Sequence, residues 1–111
     1  MDESEFNQIV DDLLISIEDA VENLIDENDA DIDIESAGGI LTLSFADNSK
    51  IIINRQTPLR QVWVATRAGG FHFDYDEASQ QWREEKTRAE LFAELGRHGA
   101  ESLGEAMVLA P

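Results

Sequence analysis

The chain has 111 residues, 42% of them hydrophobic, no cysteine and a formal net charge of −16. That length and apolar content fit one domain, residues 1–111, with a real core, and they argue against wholesale disorder. The absence of cysteine excludes disulfides, thiolate zinc sites, cysteine-ligated iron–sulfur clusters and cysteine nucleophiles.

The opening Met1-Asp2-Glu3-Ser4-Glu5 is acidic where a signal peptide would be basic and then apolar. No apolar run approaches the roughly 20 residues of a membrane helix, so a soluble cytoplasmic protein is expected. Phe6, Ile9, Val10, Leu13, Ile17, Ala20, Val21 and Leu24 then recur at three- and four-residue steps and predict a long amphipathic helix. At about 100° per residue, Asp11, Glu18 and Glu22 fall along one flank of its polar face, and Asp12, Asp19 and Asp26 along the other. Like charges so spaced repel; Asp2, Glu3 and Glu5 recover part of that cost through the helix dipole. Ile15 interrupts the acidic face, and the pattern does not explain it.

Beyond the helix, Ile32 and Ile34 alternate with Asp31, Asp33 and Glu35, which predicts a half-buried strand whose acidic outer face suits a sheet edge. Gly38-Gly39 turns into a second strand, Ile40 to Phe45, with Leu41, Leu43 and Phe45 on one face. Asp47-Asn48 turns into a third, Lys50 to Asn54, which Thr57-Pro58 ends. Gln61 to Thr66 is a fourth, Gly69-Gly70 turns into a fifth, Phe71 to Tyr75, and a short sixth centres on Gln81-Trp82-Arg83. Thr87 and Glu90 have the spacing of a capping box, so a second helix is expected from near Thr87, with Leu91, Phe92 and Leu95 facing the core. Gly96 and Gly99 weaken it by about 1 kcal/mol each relative to Ala. The tail from Gly104 to Pro111 carries Met107, Val108 and Leu109 and is expected to pack back on the domain. Helix, hairpin-linked strands, helix is an α+β pattern, with both helices on one face of an antiparallel sheet. The other face must meet solvent or a partner.

Charge supplies the first candidate site. Residues 1–49 hold 15 of the 24 acidic residues and no Lys or Arg, whereas residues 50–111 hold 9 acidic and 8 basic residues. Such a field repels nucleic acid and anionic membrane and attracts cations and basic protein surfaces. A solvated charge run is the ordinary alternative, but here the acids continue from helix into strand with no base among them. Carboxylates are hard ligands that suit Mg²⁺, Ca²⁺, Mn²⁺ and iron. Without buried, convergent ligands such sites should be weak, multiple and unselective. Asp29, Asp31 and Asp33 imitate the start of an EF-hand loop, yet the required Gly is Ile34 and the required final Glu is Ile40.

The sheet supplies the second. With Val62 and Val64 toward the core, Gln61, Trp63 and Ala65 turn outward, near Asn54, Arg55 and Gln56. An outward Trp among amides and arginines has the composition of a protein-binding hot spot, unless its own neighbours cover it. Trp82 reads as structural. His72 and His98 share no ligand-type spacing; His72, out of phase with Phe71 and Phe73, falls on the side of Trp63. No nucleophile–base pair, phosphate loop or dinucleotide fingerprint is present. The carboxylates crowd a convex helix rather than a cleft, so the chain reads as a binding protein and not as an enzyme.

The run Lys50-Ile51-Ile52-Ile53-Asn54-Arg55-Gln56-Thr57-Pro58-Leu59-Arg60-Gln61-Val62-Trp63-Val64-Ala65 closely resembles the central signature of the frataxin family in its bacterial form. Ser4-Glu5-Phe6, Gly38-Gly39-Ile40-Leu41 and Gly69-Gly70-Phe71-His72-Phe73-Asp74 fit in the same order, so the resemblance spans nearly the whole chain. It implies a two-layer α-β sandwich with N- and C-terminal helices on one face of an antiparallel sheet. It implies ferrous or ferric iron held weakly along an acidic ridge, here Asp11, Asp12, Glu18, Asp19, Glu22, Asp26, Glu27, Asp29, Asp31, Asp33 and Glu35, with other divalent cations as competitors. It further implies a regulator or iron supplier of iron–sulfur cluster assembly that binds a cysteine desulfurase through the ridge. It implies binding to the assembly scaffold as well, and the sheet residues that match the family's partner face are Asn54, Arg55, Gln56, Gln61 and Trp63. Ferroxidase or iron-storage activity, as proposed for some relatives, and an acidic adaptor with incidental metal binding are the alternatives. The expected state is a monomer, with iron-induced oligomers as the variant form.

Overall fold

In the computed structural model, which describes residues 1–111, the chain caps its own first helix. Asp2 is extended and its carboxylate accepts the Glu5 N–H at 2.8 Å, which satisfies one of the unpaired donors at the helix start. Helix α1 then runs Glu3–Asn28 and buries Phe6, Val10, Leu13, Ile17, Val21 and Leu24, the stripe expected from spacing. Asp29 ends it in the left-handed region at φ 53°, a conformation that Asp tolerates better than most residues.

The strands are β1 (Ile32–Ala37), β2 (Ile40–Phe45), β3 (Lys50–Gln56), β4 (Gln61–Thr66), β5 (Gly69–Asp76) and β6 (Gln81–Glu84). They form one sheet in sequential order, every neighbour antiparallel. β3 outlasts its apolar alternation by two residues because Arg55 and Gln56 still pair with Val62 and Gln61; a single 3-10 turn, Thr57–Leu59, then carries Pro58. Alternation sends Leu41, Leu43, Phe45, Ile51, Ile53, Val62, Val64 and Phe73 to one face. There they join α1 and α2 (Leu91–Leu103) in one buried apolar cluster. Each such side chain contributes roughly 1.5–3 kcal/mol by leaving water. Trp82 belongs to this core, edge-on to Phe6 at 6.1 Å and to Tyr75 at 5.2 Å. Both helices lie on that face and the other stays open, the two-layer α-β sandwich expected. No helix is long and apolar enough to cross a membrane.

Two expectations about the C-terminal third change. The second helix starts at Leu91, not near Thr87, and its cap is Glu90, whose carboxylate accepts from Phe92 N and Ala93 N at 2.7 and 3.1 Å. Thr87 is held elsewhere: its N–H, and that of Lys86, donate to Glu84 at 2.8 Å. Arg88 is left-handed at φ 64°, and Glu90 bridges back to Arg83. Residues 84–90 therefore make a tight excursion that a capping box at Thr87 would break. The glycines of α2 also have a positive purpose. A Cβ on Gly96 would lie 2.5 Å from the Met107 carbonyl oxygen, and one on Gly99 would lie 2.2 Å from Met107 Sδ. They open the groove in which the tail lies, burying Met107 and Leu109 while Val108 faces solvent.

Candidate functional site

The acidic residues divide by element. On α1, Glu18 and Glu22, and Glu22 and Asp26, stand one helical turn apart; Asp11, Asp12, Asp19, Glu22, Asp26 and Glu27 are exposed and Glu18 half-buried. Asp29 caps the helix end and Asp31 leads into β1. On β1, Asp33 pairs with Ser44 and Glu35 with Thr42, on the outer face of the sheet, away from the helices. The acids thus wrap around the β1 edge from the helix layer to the open sheet face. Of these eleven residues only Asp11 has a cationic partner, the guanidinium of Arg55. No three acidic or histidine side chains converge as a ready-made metal site. A hard cation on this surface would gather exposed carboxylates one or two at a time.

The open sheet face carries the second constellation. Register places Ile40 opposite Asn54, Asn54 opposite Trp63, and Trp63 opposite His72 in one row across four strands. The Trp63 ring stacks on His72 with centroids 4.2 Å apart and planes 11° from parallel. Its N–H donates to Gln61 Oε1 at 2.9 Å, and the Gln61 amide donates to Asp74 and Glu85 at 3.0 and 3.2 Å. Glu85 lies 3.0 Å from His72 Nδ1 and closes the circuit. Trp63 is therefore neither free nor covered: one ring face is clamped by His72, and the ring helps line a shallow depression of about 190 Å³ with Ile52, Asn54, Ala65 and Gly70. A preset, half-exposed Trp loses little freedom on binding, a trait of interface anchors.

The expected partner set is only partly together. Asn54, Gln56, Gln61 and Trp63 share the outer face. Arg55 alternates to the helix side, where it reaches Asn7 Oδ1 at 3.0 Å and the Asp11 carboxylate. It ties the end of β3 to α1 instead of serving the sheet face. Ile40 and Ile52, exposed at 38% and 37%, belong to this face and were not among the expected residues. Their signal was available: both are out of phase with Leu41, Ile51 and Ile53, which face the core. His98, by contrast, is a packing residue, 4% exposed with its ring 4.9 Å from Phe71.

A model of the frataxin-like domain matches residues 1–105. The iron-sulfur cluster assembly protein CyaY of Pseudomonas aeruginosa is 49% identical over 105 residues, covering 95% of this chain and 94% of that protein. The protein of the same name from Delftia acidovorans is 42% identical over 107 residues, 96% of each. Among solved structures, frataxin from Psychromonas ingrahamii superposes with a TM-score of 0.86 at 36% identity over the whole of both chains. The ferrous complex of a trimeric frataxin from the yeast Saccharomyces cerevisiae superposes at 0.74 with 25% identity, over 87% of each.

Proposed function

The chain belongs to the frataxin-like family, and on that premise we propose that it serves iron–sulfur cluster assembly by binding iron weakly on α1 and β1 and engaging a cysteine desulfurase through the same surface. The observation that carries this reading is the continuous run of carboxylates, from Asp12 on α1 to Glu35 on β1, without a cationic neighbour. Oxygen ligands suit ferrous and ferric iron. Their exposure and lack of convergence suit a cargo that must leave again. The same field draws a basic protein surface, and a partner seated there competes with or reports on the metal. The open sheet face, with Asn54, Gln56, Gln61 and the clamped Trp63, is the surface offered to the scaffold protein. The two surfaces meet at the β1 edge, so one molecule can touch two partners.

The test is a triple variant, Glu18→Gln with Asp19→Asn and Glu22→Gln. Calorimetric titration with Fe²⁺ and affinity measurement with a cysteine desulfurase should each show binding weakened about tenfold. Desulfurase affinity in the parent chain should also fall as salt is raised. Both titrations unchanged in the triple variant would overturn the reading.

A further inference from the structure

Six of the seven glycines have a reason within the chain. Gly38, Gly39, Gly69 and Gly104 take positive φ angles, and Gly96 and Gly99 make room for Met107. Gly70 has neither reason. Its φ lies outside the left-handed region, and a Cβ added to it would meet no atom within 4 Å. Nor does it mark a bulge, since β4 and β5 pair without interruption from Gln61 opposite Asp74 to Thr66 opposite Gly69. A glycine inside a strand weakens it and, bulges and bends apart, marks a place where a ligand or another chain comes close. Strand phase turns Gly70 to the open face with His72, and register sets it beside Ala65, which stands beside Ile52. All three are exposed. Two small residues thus floor the depression of about 190 Å³, and the stacked rings of Trp63 and His72 wall it from the next row. The tail cannot cover it, because Met107 and Leu109 are buried in the helix layer on the other side of the sheet.

We propose that this depression seats one aliphatic side chain of the scaffold protein, with Gly70 and Ala65 setting the size it accepts. The inference rests on the reading of the open sheet face as the surface offered to that partner. The volume is below the roughly 300 Å³ at which small-molecule sites begin, so one side chain fits where a cofactor does not. Floor and indole wall carry no charge, so an apolar group gains by leaving water there and an ionic one does not. The row of Gly70, Ala65 and Ile52 continues through Thr42 to Glu35 on β1, an acid without a cationic partner. Glu35 stands four strand spacings from Gly70, about 19 Å. A second copy of this chain would bring its own acids against Asp33 and Glu35, and an anionic membrane would meet the same repulsion. A protein with an aliphatic side chain and a lysine or arginine about 19 Å from it fits both ends of the row.

The test fills the depression. Gly70→Val does so from its floor, and Ala65→Val from the neighbouring strand. Valine suits a strand, so the urea midpoint of each variant should equal or exceed that of the parent. Affinity for an iron–sulfur scaffold protein, measured by calorimetric titration, should nevertheless fall about tenfold in each, and less in Gly70→Ala. Unchanged affinity in the two folded valine variants overturns the seat and leaves the scaffold reading in place. A second arm needs no partner: NMR of isotope-labelled protein with isobutanol, whose branched end matches that of leucine, against glycerol. Shifts at the Ala65 and Gly70 amides should appear with isobutanol alone and vanish in Gly70→Val; their absence from the parent chain overturns the seat. A parent chain that shows those shifts but binds no scaffold protein loses the functional reading and the named occupant, while the apolar seat stands.

Discussion

Replacing Gly96 by alanine is expected to lower stability by about 2 kcal/mol or more, although alanine is the better helix former by about 1 kcal/mol. The added Cβ would sit 2.5 Å from the carbonyl oxygen of Met107. That atom is backbone, so it cannot swing aside; the tail has to lift. Met107 and Leu109 are 5% and 8% exposed, and burial of side chains of this kind contributes roughly 1.5–3 kcal/mol each. Losing even part of both outweighs the gain in helix propensity. Gly99 is the internal comparison. Its Cβ would meet the Sδ and Cε of Met107, the end of a flexible side chain that can turn, so Gly99→Ala should cost less. Urea midpoints of the two variants provide the measurement. In a chain lacking residues 104–111 the sign should reverse, and Gly96→Ala should stabilise by about 1 kcal/mol. A stabilising Gly96→Ala in the full-length chain would refute the seating of the tail.

The same two glycines mark how far the sequence is legible. Periodicity exposes the apolar stripe of α1 and the alternation of β2, β3 and β4, because one buried face imposes its period on the residues. It also turns Trp63 and His72 to a common face, since strand phase alone decides that. A glycine in a helix, however, reads as a weakness unless the segment that lies against it is known, and the contact between Gly96 and Met107 is tertiary. Arg55 misleads for a related reason. It stands within the signature run beside Asn54, yet alternation past the end of the apolar pattern sends it to Asn7 and Asp11. Thr87 and Glu90 satisfy a capping rule in spacing, but Glu84 takes the Thr87 N–H first. Local rules lose where a residue from another element competes for the same donor. The acidic ridge is legible as composition, as two helical flanks and as the acidic outer face of β1; that Asp33 and Glu35 stand beside Ser44 and Thr42 of β2 emerges only from register.

Glu84 is the residue whose loss should be felt most at the other end of the sheet, and Glu84→Ala is expected to cost about 3 kcal/mol at neutral pH. The side chain is 6% exposed, and one of its oxygens accepts the N–H groups of both Lys86 and Thr87 at 2.8 Å. Hydrogen bonds to a charged group are worth about 1.5–3 kcal/mol each, and both donors would lose their partner. Its backbone holds the same excursion, with its N–H bonded to the Ala89 carbonyl and its carbonyl accepting from Arg88 N, both at 2.9 Å. Through that excursion Glu84 sets where Glu90 stands, and so where α2 begins. Burial alone would push its carboxyl up; the N–H bonds from Thr87 and Lys86, helped by the Lys86 charge, outweigh that and hold it below its ordinary value. A group depressed in the folded state stabilises fully above its unfolded pKa, near about 4.3 for glutamate, and that contribution is lost as pH falls through the folded value. Glu84→Gln, which keeps an acceptor without the charge, should therefore be less stable than the parent by a constant margin from about pH 7 to pH 5. The margin should close as the pH drops further. Asp2, Asp47 and Asp76, also held low by hydrogen bonds, are present in both chains and cancel in the comparison. Urea unfolding at stepped pH reads the margin directly, and a margin that persists undiminished at pH 2 would show that the ionised carboxylate is not what holds residues 84–90 in place.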